Sequence, residues 1–128
     1  MIAYCDGSTT KGCYIIEGET AVLFPYKGRV TVNAGEYLAL IALLKAVEKR
    51  AGEFQEGLTI YMDSELVVNQ IVGWYQCRNY ALSLLLARAW LALGKIQCKL
   101  FWIPREENKA GQVLEADKLL ERKKIIIG

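Results

Sequence analysis

The sequence predicts an α/β domain built on a mixed five-stranded sheet, its first three strands antiparallel and the rest parallel, flanked by helices. Three observations lead there. Residues 2–26 hold three short strand-like runs separated by turn signals. Helical runs then alternate with two short apolar strands, the pattern of units that cross over to pair in parallel. Finally, 53% of the 128 residues are hydrophobic, enough for one core and one domain over residues 1–128.

Each element has its own reason. Ile2 to Cys5 is an apolar strand that ends at Asp6-Gly7. Gly12 to Glu17 alternates and reads as a second strand, with Gly18-Glu19-Thr20 as its turn. Ala21 to Tyr26 is the third, and Pro25, which cannot donate to a ladder, marks an edge or a strand end. Residues 34–50 are dominated by Ala, Leu and Lys and form a long helix, apolar nearly all round and so well covered. Lys49-Arg50 suit its C-terminal dipole and Gly52 stops it. Leu58 to Met62 is a short strand, and Ser64 to Val72 a short helix closed by Gly73. Residues 74–79 are a connector in which Trp74, taken alone, reads as a core residue. With Tyr75 and Arg78 it could instead form a small stacking platform. Tyr80 to Leu93 is a second long helix, Gln97 to Ile103 a last strand ended by Pro104, and 109–123 a last helix. The closing Ile125-Ile126-Ile127 calls for a cover that the sequence does not name.

Composition narrows the chemistry. The chain has no histidine, so no imidazole serves as base, nucleophile or metal ligand. Cysteines stand at 5, 13, 77 and 98, with no CxxC spacing, which excludes a structural zinc site of the usual kind. Cys5, Cys13 and Cys98 lie in strand-like runs and read as small buried residues. A net charge of +2 permits a nucleic-acid partner without arguing for one. No apolar run has the length of a membrane helix and the start lacks a signal-peptide pattern, so no membrane partner and a cytoplasmic location are expected. The start and the length point to a free-standing protein.

Three acids stand out by position. Asp6 ends the first strand, Glu36 lies in the first turn of the long helix, and Asp63 ends the fourth strand. Each has an ordinary explanation. Asp6-Gly7 suits a turn, Asn33 and Glu36 suit a capping box, and Asp63 or Ser64 suits a helix cap. Together they fit a different idea better. Sites in open sheets form at strand ends, and neighbouring strands would bring Asp6 and Asp63 together. Clustered carboxylates repel, and hard divalent cations such as Mg²⁺ or Mn²⁺ relieve that repulsion.

The array Asp6-Gly7-Ser8, residues 33–40 (NAGEYLAL), Asp63-Ser64 and residues 102–108 (WIPREEN) resembles the ribonuclease H type 1 family, in an order that covers almost the whole chain. The resemblance implies a ribonuclease H-like fold. It also implies a monomeric endonuclease that hydrolyses the RNA strand of RNA–DNA hybrids with two Mg²⁺ ions, Mn²⁺ substituting. Asp6, Glu36 and Asp63 match the family's metal-binding acids. Asn33 matches a position that touches the minor groove, where 2′-hydroxyls distinguish RNA. Gly7 and Ser8 are expected to let backbone approach the nucleic acid.

Two departures follow. The family's fourth acid lies four residues after an asparagine in the last helix, and four from Asn108 is Gln112. Glu115 is about 300° further round the helix and shares that face, whereas Asp117 is roughly 140° off it. Glu115 is therefore assigned the fourth catalytic and metal-binding role, with Asn108 or Gln112 assisting and Asn108 also counted among the nucleic-acid contacts. Where some relatives carry a mobile histidine, this chain has Arg105 and Glu106; Arg105 suits a phosphate, or an ion pair with Glu106 or Glu107. The alternative reading is a catalytically impaired module that binds nucleic acid or protein, supported by the missing fourth acid. A third keeps the fold and changes the substrate.

Overall fold

The computed structural model describes residues 1–127, the side chains of residues 51 and 124–127 excepted, so the cover for Ile125-Ile126-Ile127 falls outside the described residues. The chain forms β1 (Ile2–Gly7), β2 (Lys11–Ile16), β3 (Val22–Pro25), α1 (Val32–Glu48), β4 (Leu58–Met62), α2 (Glu65–Val72), α3 (Tyr80–Leu93), β5 (Cys98–Trp102) and α4 (Lys109–Ile127). Short 3₁₀ turns occupy Ala51–Phe54 and Arg105–Glu107. The five strands make one sheet in the order β3-β2-β1-β4-β5. β1, β2 and β3 pair antiparallel, and β4 joins β1 and β5 in parallel. The sequence expectation for the fold class holds.

The caps decide where helices begin. Thr31 caps α1, its hydroxyl accepting from Ala34 N at 3.2 Å. The helix thus starts earlier than expected and Asn33 lies inside its first turn. No capping box forms between Asn33 and Glu36, so the glutamate is free for other work. Ser64 caps α2 by accepting from Val67 N at 3.2 Å, which likewise releases Asp63. Asp6 is not a turn residue either. It pairs with Cys13 inside the β1–β2 ladder. Ser8 builds the turn, accepting from Lys11 N at 3.0 Å and from Thr10 N at 3.2 Å while donating to Lys11 O.

Strand alternation sorts β1 onto two faces. Ala3 and Cys5 enter the core beneath α1, with Ile60 and Met62 of β4 beside them. Tyr4 and Asp6 point the other way, toward α4, where Lys109 sits over the Tyr4 ring at 5.5 Å. Tyr4, Tyr61 and Phe101 form a row of aromatic contacts on that face. α1 supplies more of the core than any other element: Tyr37, Leu40, Leu43 and Leu44 are fully buried, each leucine worth roughly 2 kcal/mol of burial. α3 packs on α1, and only Leu82, Leu86 and Ala89 of it are buried. Trp74 is 81% exposed, so the core role expected for it is corrected. No neighbouring element covers its indole, which stands in solvent. All four cysteines are free; Cys5 and Cys13 are buried as expected, whereas Cys98, on the edge strand β5, is only half-buried. Among the described residues, no helix is long and apolar enough to cross a membrane.

Candidate active site

Parallel pairing of the two central strands aligns the first two acids. Tyr4 lies opposite Tyr61, and both strands run two residues further to reach Asp6 and Asp63. Glu36 arrives from the far side of the sheet, and glycine lets it. A methyl on Gly7 would lie 2.0 Å from Gly35 O, and one on Gly35 would lie 2.0 Å from Ser8 O. Two bare backbones therefore touch where α1 crosses the end of β1. That approach carries the Glu36 carboxylate over the edge of β1, where Gly7 N donates to its Oε2 at 3.2 Å. Asp6, Glu36 and Asp63 each offer an oxygen, and these oxygens lie within 4.8 Å of one another.

The cluster is electrostatically costly by itself. Asp6 and Glu36 are buried. Burial, then the charge of Asp63, pushes the Asp6 carboxyl up to about 7. Burial, then the charges of Asp6 and Asp63, pushes Glu36 up to about 9. Among the described residues, none of the three carboxylates has an ion pair. Three converging carboxylate oxygens without a protein cation make a donor set suited to a hard divalent ion.

Asn108 holds this arrangement from below. It is fully buried, and its amide donates to Asp63 Oδ1 at 2.9 Å and to Cys5 O at 3.0 Å. Its own oxygen accepts from Ala110 N at 3.1 Å and caps α4. One side chain thus fixes Asp63, ties α4 to β1 and starts the helix. Its side chain has no exposed surface to offer a nucleic acid, contrary to the contact expected of it, and instead holds Asp63. Asn108→Ala is expected to cost about 2–4 kcal/mol, since it removes a cap and strands a buried carbonyl. Chemical denaturation would read that loss, and a cost below about 1 kcal/mol would contradict it.

A cavity of about 470 Å³ opens over the carboxylates. Glu115 and Asp117 both line it, although neither belongs to the tight trio. The helix angle placed Asp117 off this face; Lys11 draws it in, pairing with Asp117 at 2.7 Å and with Glu121. Gln112 points elsewhere and donates to Glu106 O at 2.9 Å. A methyl on Gly111 would meet Asp6 Oδ2 at 3.0 Å, so α4 lies close against the site. Gly7, packed against α1, and Ser8 both line the cavity, the Ser8 hydroxyl being used in the turn. Arg105 lines the cavity and forms no ion pair among the described residues. Asn33 is half-buried in the first turn of α1. Sequence reasoning missed Lys11, Arg29 and Lys118, which also line the cavity. Only the basic run Lys27-Gly28-Arg29 before α1 signalled one of them.

A family model described as reverse transcriptase-like matches residues 11–116. The solved structure of RNase H1 from the halophilic archaeon Halobacterium salinarum NRC-1 is 25% identical, with a TM-score of 0.75 over 88% of this chain and 92% of that one. The chain belongs to this ribonuclease H-like family. LC11-RNase H1, isolated from compost by a metagenomic approach, is a second ribonuclease H relative, 26% identical with a TM-score of 0.73 over 93% of this chain and 96% of its own. The same enzyme in complex with RNA/DNA hybrid gives 25% identity and a TM-score of 0.70 over 84% of this chain and 88% of that chain. The family match includes Glu36, Asp63 and Glu115 but begins after Asp6. Asp6 therefore rests on the geometry of the ribonuclease H-like fold, which puts it beside the other two.

Proposed function

We propose that this chain is a divalent-metal-dependent ribonuclease H that cuts the RNA strand of RNA–DNA hybrids. The observation that carries the reading is the trio Asp6, Glu36 and Asp63, brought within 4.8 Å from three separate elements without a cation of their own. The relative held in complex with RNA/DNA hybrid supports the substrate class. Two bound magnesium ions would supply an activated water and stabilise the charge that develops at the phosphate. The chain's own residues do the rest. Gly7 N–H orients Glu36, and Asn108 orients Asp63. Arg29, Arg105 and Lys118 place cations on the cavity lining, among its acids, where they can meet backbone phosphates. Asn33 reaches the minor groove from the start of α1.

Glu115 fills the fourth acidic role, working from the cavity wall rather than from inside the trio. Glu115→Gln is expected to lower turnover about tenfold, while Asp117→Asn mainly releases Lys11. Unchanged turnover in the first variant with abolished turnover in the second would reverse the assignment.

The decisive assay is cleavage of a labelled RNA–DNA hybrid with Mg²⁺ or Mn²⁺. Single-stranded RNA, double-stranded DNA and Asp6→Asn serve as controls. Hybrid-specific cutting that disappears in the variant is expected. The second reading, a module that binds hybrid without cutting it, is favoured by Gln112, which turns away from the carboxylates. Folded protein that binds hybrid but cuts it with neither metal would establish that second reading.

A further inference from the structure

Helix α3 has two apolar sides. Leu82, Leu86 and Ala89 are buried, on the side that packs against α1. The opposite side is apolar as well. Tyr80 is 79% exposed, Leu84 51% and Leu91 71%, and Ala87 is exposed between them. By helix geometry these four fall within roughly 60° of one another, on the far side of the helix from Leu82 and Ala89. Their spacing of four, three and four residues is that of a seam along which two helices pair. A helix that meets water on one side ordinarily carries charge there. α1 does, at Lys45 and Glu48, and so does α4, at Glu115, Lys118 and Glu121. α3 has no acid, and its one cation, Arg88, flanks the seam without interrupting it.

We propose that this face of α3 pairs antiparallel with the same face of α3 in a second copy of the chain. The seam matches itself in that arrangement. With Tyr80 opposite Leu91 of the second copy, Leu84 meets Ala87, and the small alanine lets the helices approach closely. Arg88 then lies beside Ser83 of the second copy, so no like charges meet. A parallel pair would set the two Arg88 side chains and the two positive helix starts side by side. A two-fold axis repeats every contact, as closed dimers require. The area is sufficient. Tyr80, Leu84, Leu91 and the half-exposed Trp90 beside them offer on the order of 500 Å² per copy, and a specific interface needs roughly 1,000 Å² in total. A seam at that lower limit gives a dimer that forms at micromolar concentrations. The resemblance to ribonuclease H type 1 implies a monomer, and this face sets the chain apart from that expectation. No residue of α3 lines the carboxylate cavity, so pairing leaves both cavities open and puts two of them in one particle.

The test is sedimentation velocity of the intact protein from about 1 μM to about 1 mM. The mass is expected to rise with concentration toward twice the 14.4 kDa of one chain, half of it associated below about 100 μM. Leu84→Gln with Leu91→Gln is expected to weaken association at least about tenfold, with circular dichroism and hybrid cleavage unchanged. The register has its own test. Tyr80→Lys and Leu91→Glu each weaken the dimer alone. Mixed, the two proteins should associate about tenfold more tightly than either does with itself, because lysine then faces glutamate. Three results would overturn the proposal: a monomer throughout the range, a dimer that survives the double substitution, or no preference of the two single variants for one another. A monomer that binds vesicles of phosphatidylcholine and phosphatidylglycerol, and releases them in the double variant, would give the face to a lipid surface instead.

Discussion

Asp6→Asn is expected to abolish hybrid cleavage and, at pH 8 without metal, to make the protein more stable. The two effects have one cause. In the fold, Asp6 holds its proton to about pH 7 and Glu36 to about 9, against ordinary values of 3.8 and 4.5. Between those limits the folded chain binds more protons than the unfolded chain, so stability falls as pH rises. The penalty is absent near pH 4 and complete above about 9. Asparagine cannot ionise, and it also relieves Glu36 of its nearest charge. The gain at pH 8 is on the order of 2 kcal/mol. Activity should fall about a thousandfold, the loss of ~4 kcal/mol of transition-state stabilisation. Thermal melts from pH 5 to 9, with and without Mg²⁺, would check the argument. The metal-free wild type should melt lower as pH rises, and Mg²⁺ should flatten that slope. A metal-free Asp6→Asn protein melting below wild type at pH 8 would sink the electrostatic account.

Gly7→Ala and Gly35→Ala are expected to damage both stability and cleavage severely. The added methyl on residue 7 meets Gly35 O at 2.0 Å and Glu36 N at 2.8 Å; the one on residue 35 meets Ser8 O at 2.0 Å. Every one of these atoms is backbone, so no side chain can swing aside. α1 and β1 must part, and Glu36 then loses the Gly7 N–H and its place beside Asp6. The cost is about 3 kcal/mol or more in each case. Gly28→Ala is the matched control, because a methyl there meets nothing within 4 Å. Urea unfolding of the three variants would decide it. Gly35→Ala with a midpoint equal to that of Gly28→Ala would show that the contact yields more easily than the geometry implies.

The sequence made the strand order of types and the positions of Asp6, Glu36 and Asp63 readable, because each is local: an apolar period, a turn signal, an acid in an unsuitable place. What stayed hidden depends on contacts between distant segments. Asn33 read as the cap of α1, and the structure gives that role to Thr31 two residues earlier. Asn108 looked like a surface contact, and burial under α4 makes it the support of Asp63. Lys11 and Asp117 meet across most of the chain's length, which no spacing rule anticipates. Trp74 carried a large apolar ring, but hydrophobicity does not report whether a neighbour covers it. The fourth acid was unreadable for a related reason. A rotation angle places Glu115 on a face, yet it does not fix how far that face stands from the trio.

The trio draws on the beginning, the first third and the middle of the chain, and the pairing that aligns it joins Ile2 to Thr59. A nascent chain that has emerged only through α1 owns Asp6 and Glu36 but lacks the strand that fixes their partner. A truncated or misfolded copy is in the same position. Such copies cannot gather the three carboxylates on which the proposed activity depends. The topology of the sheet thereby acts as a safety catch, released only when β4 takes its place in the sheet beside β1.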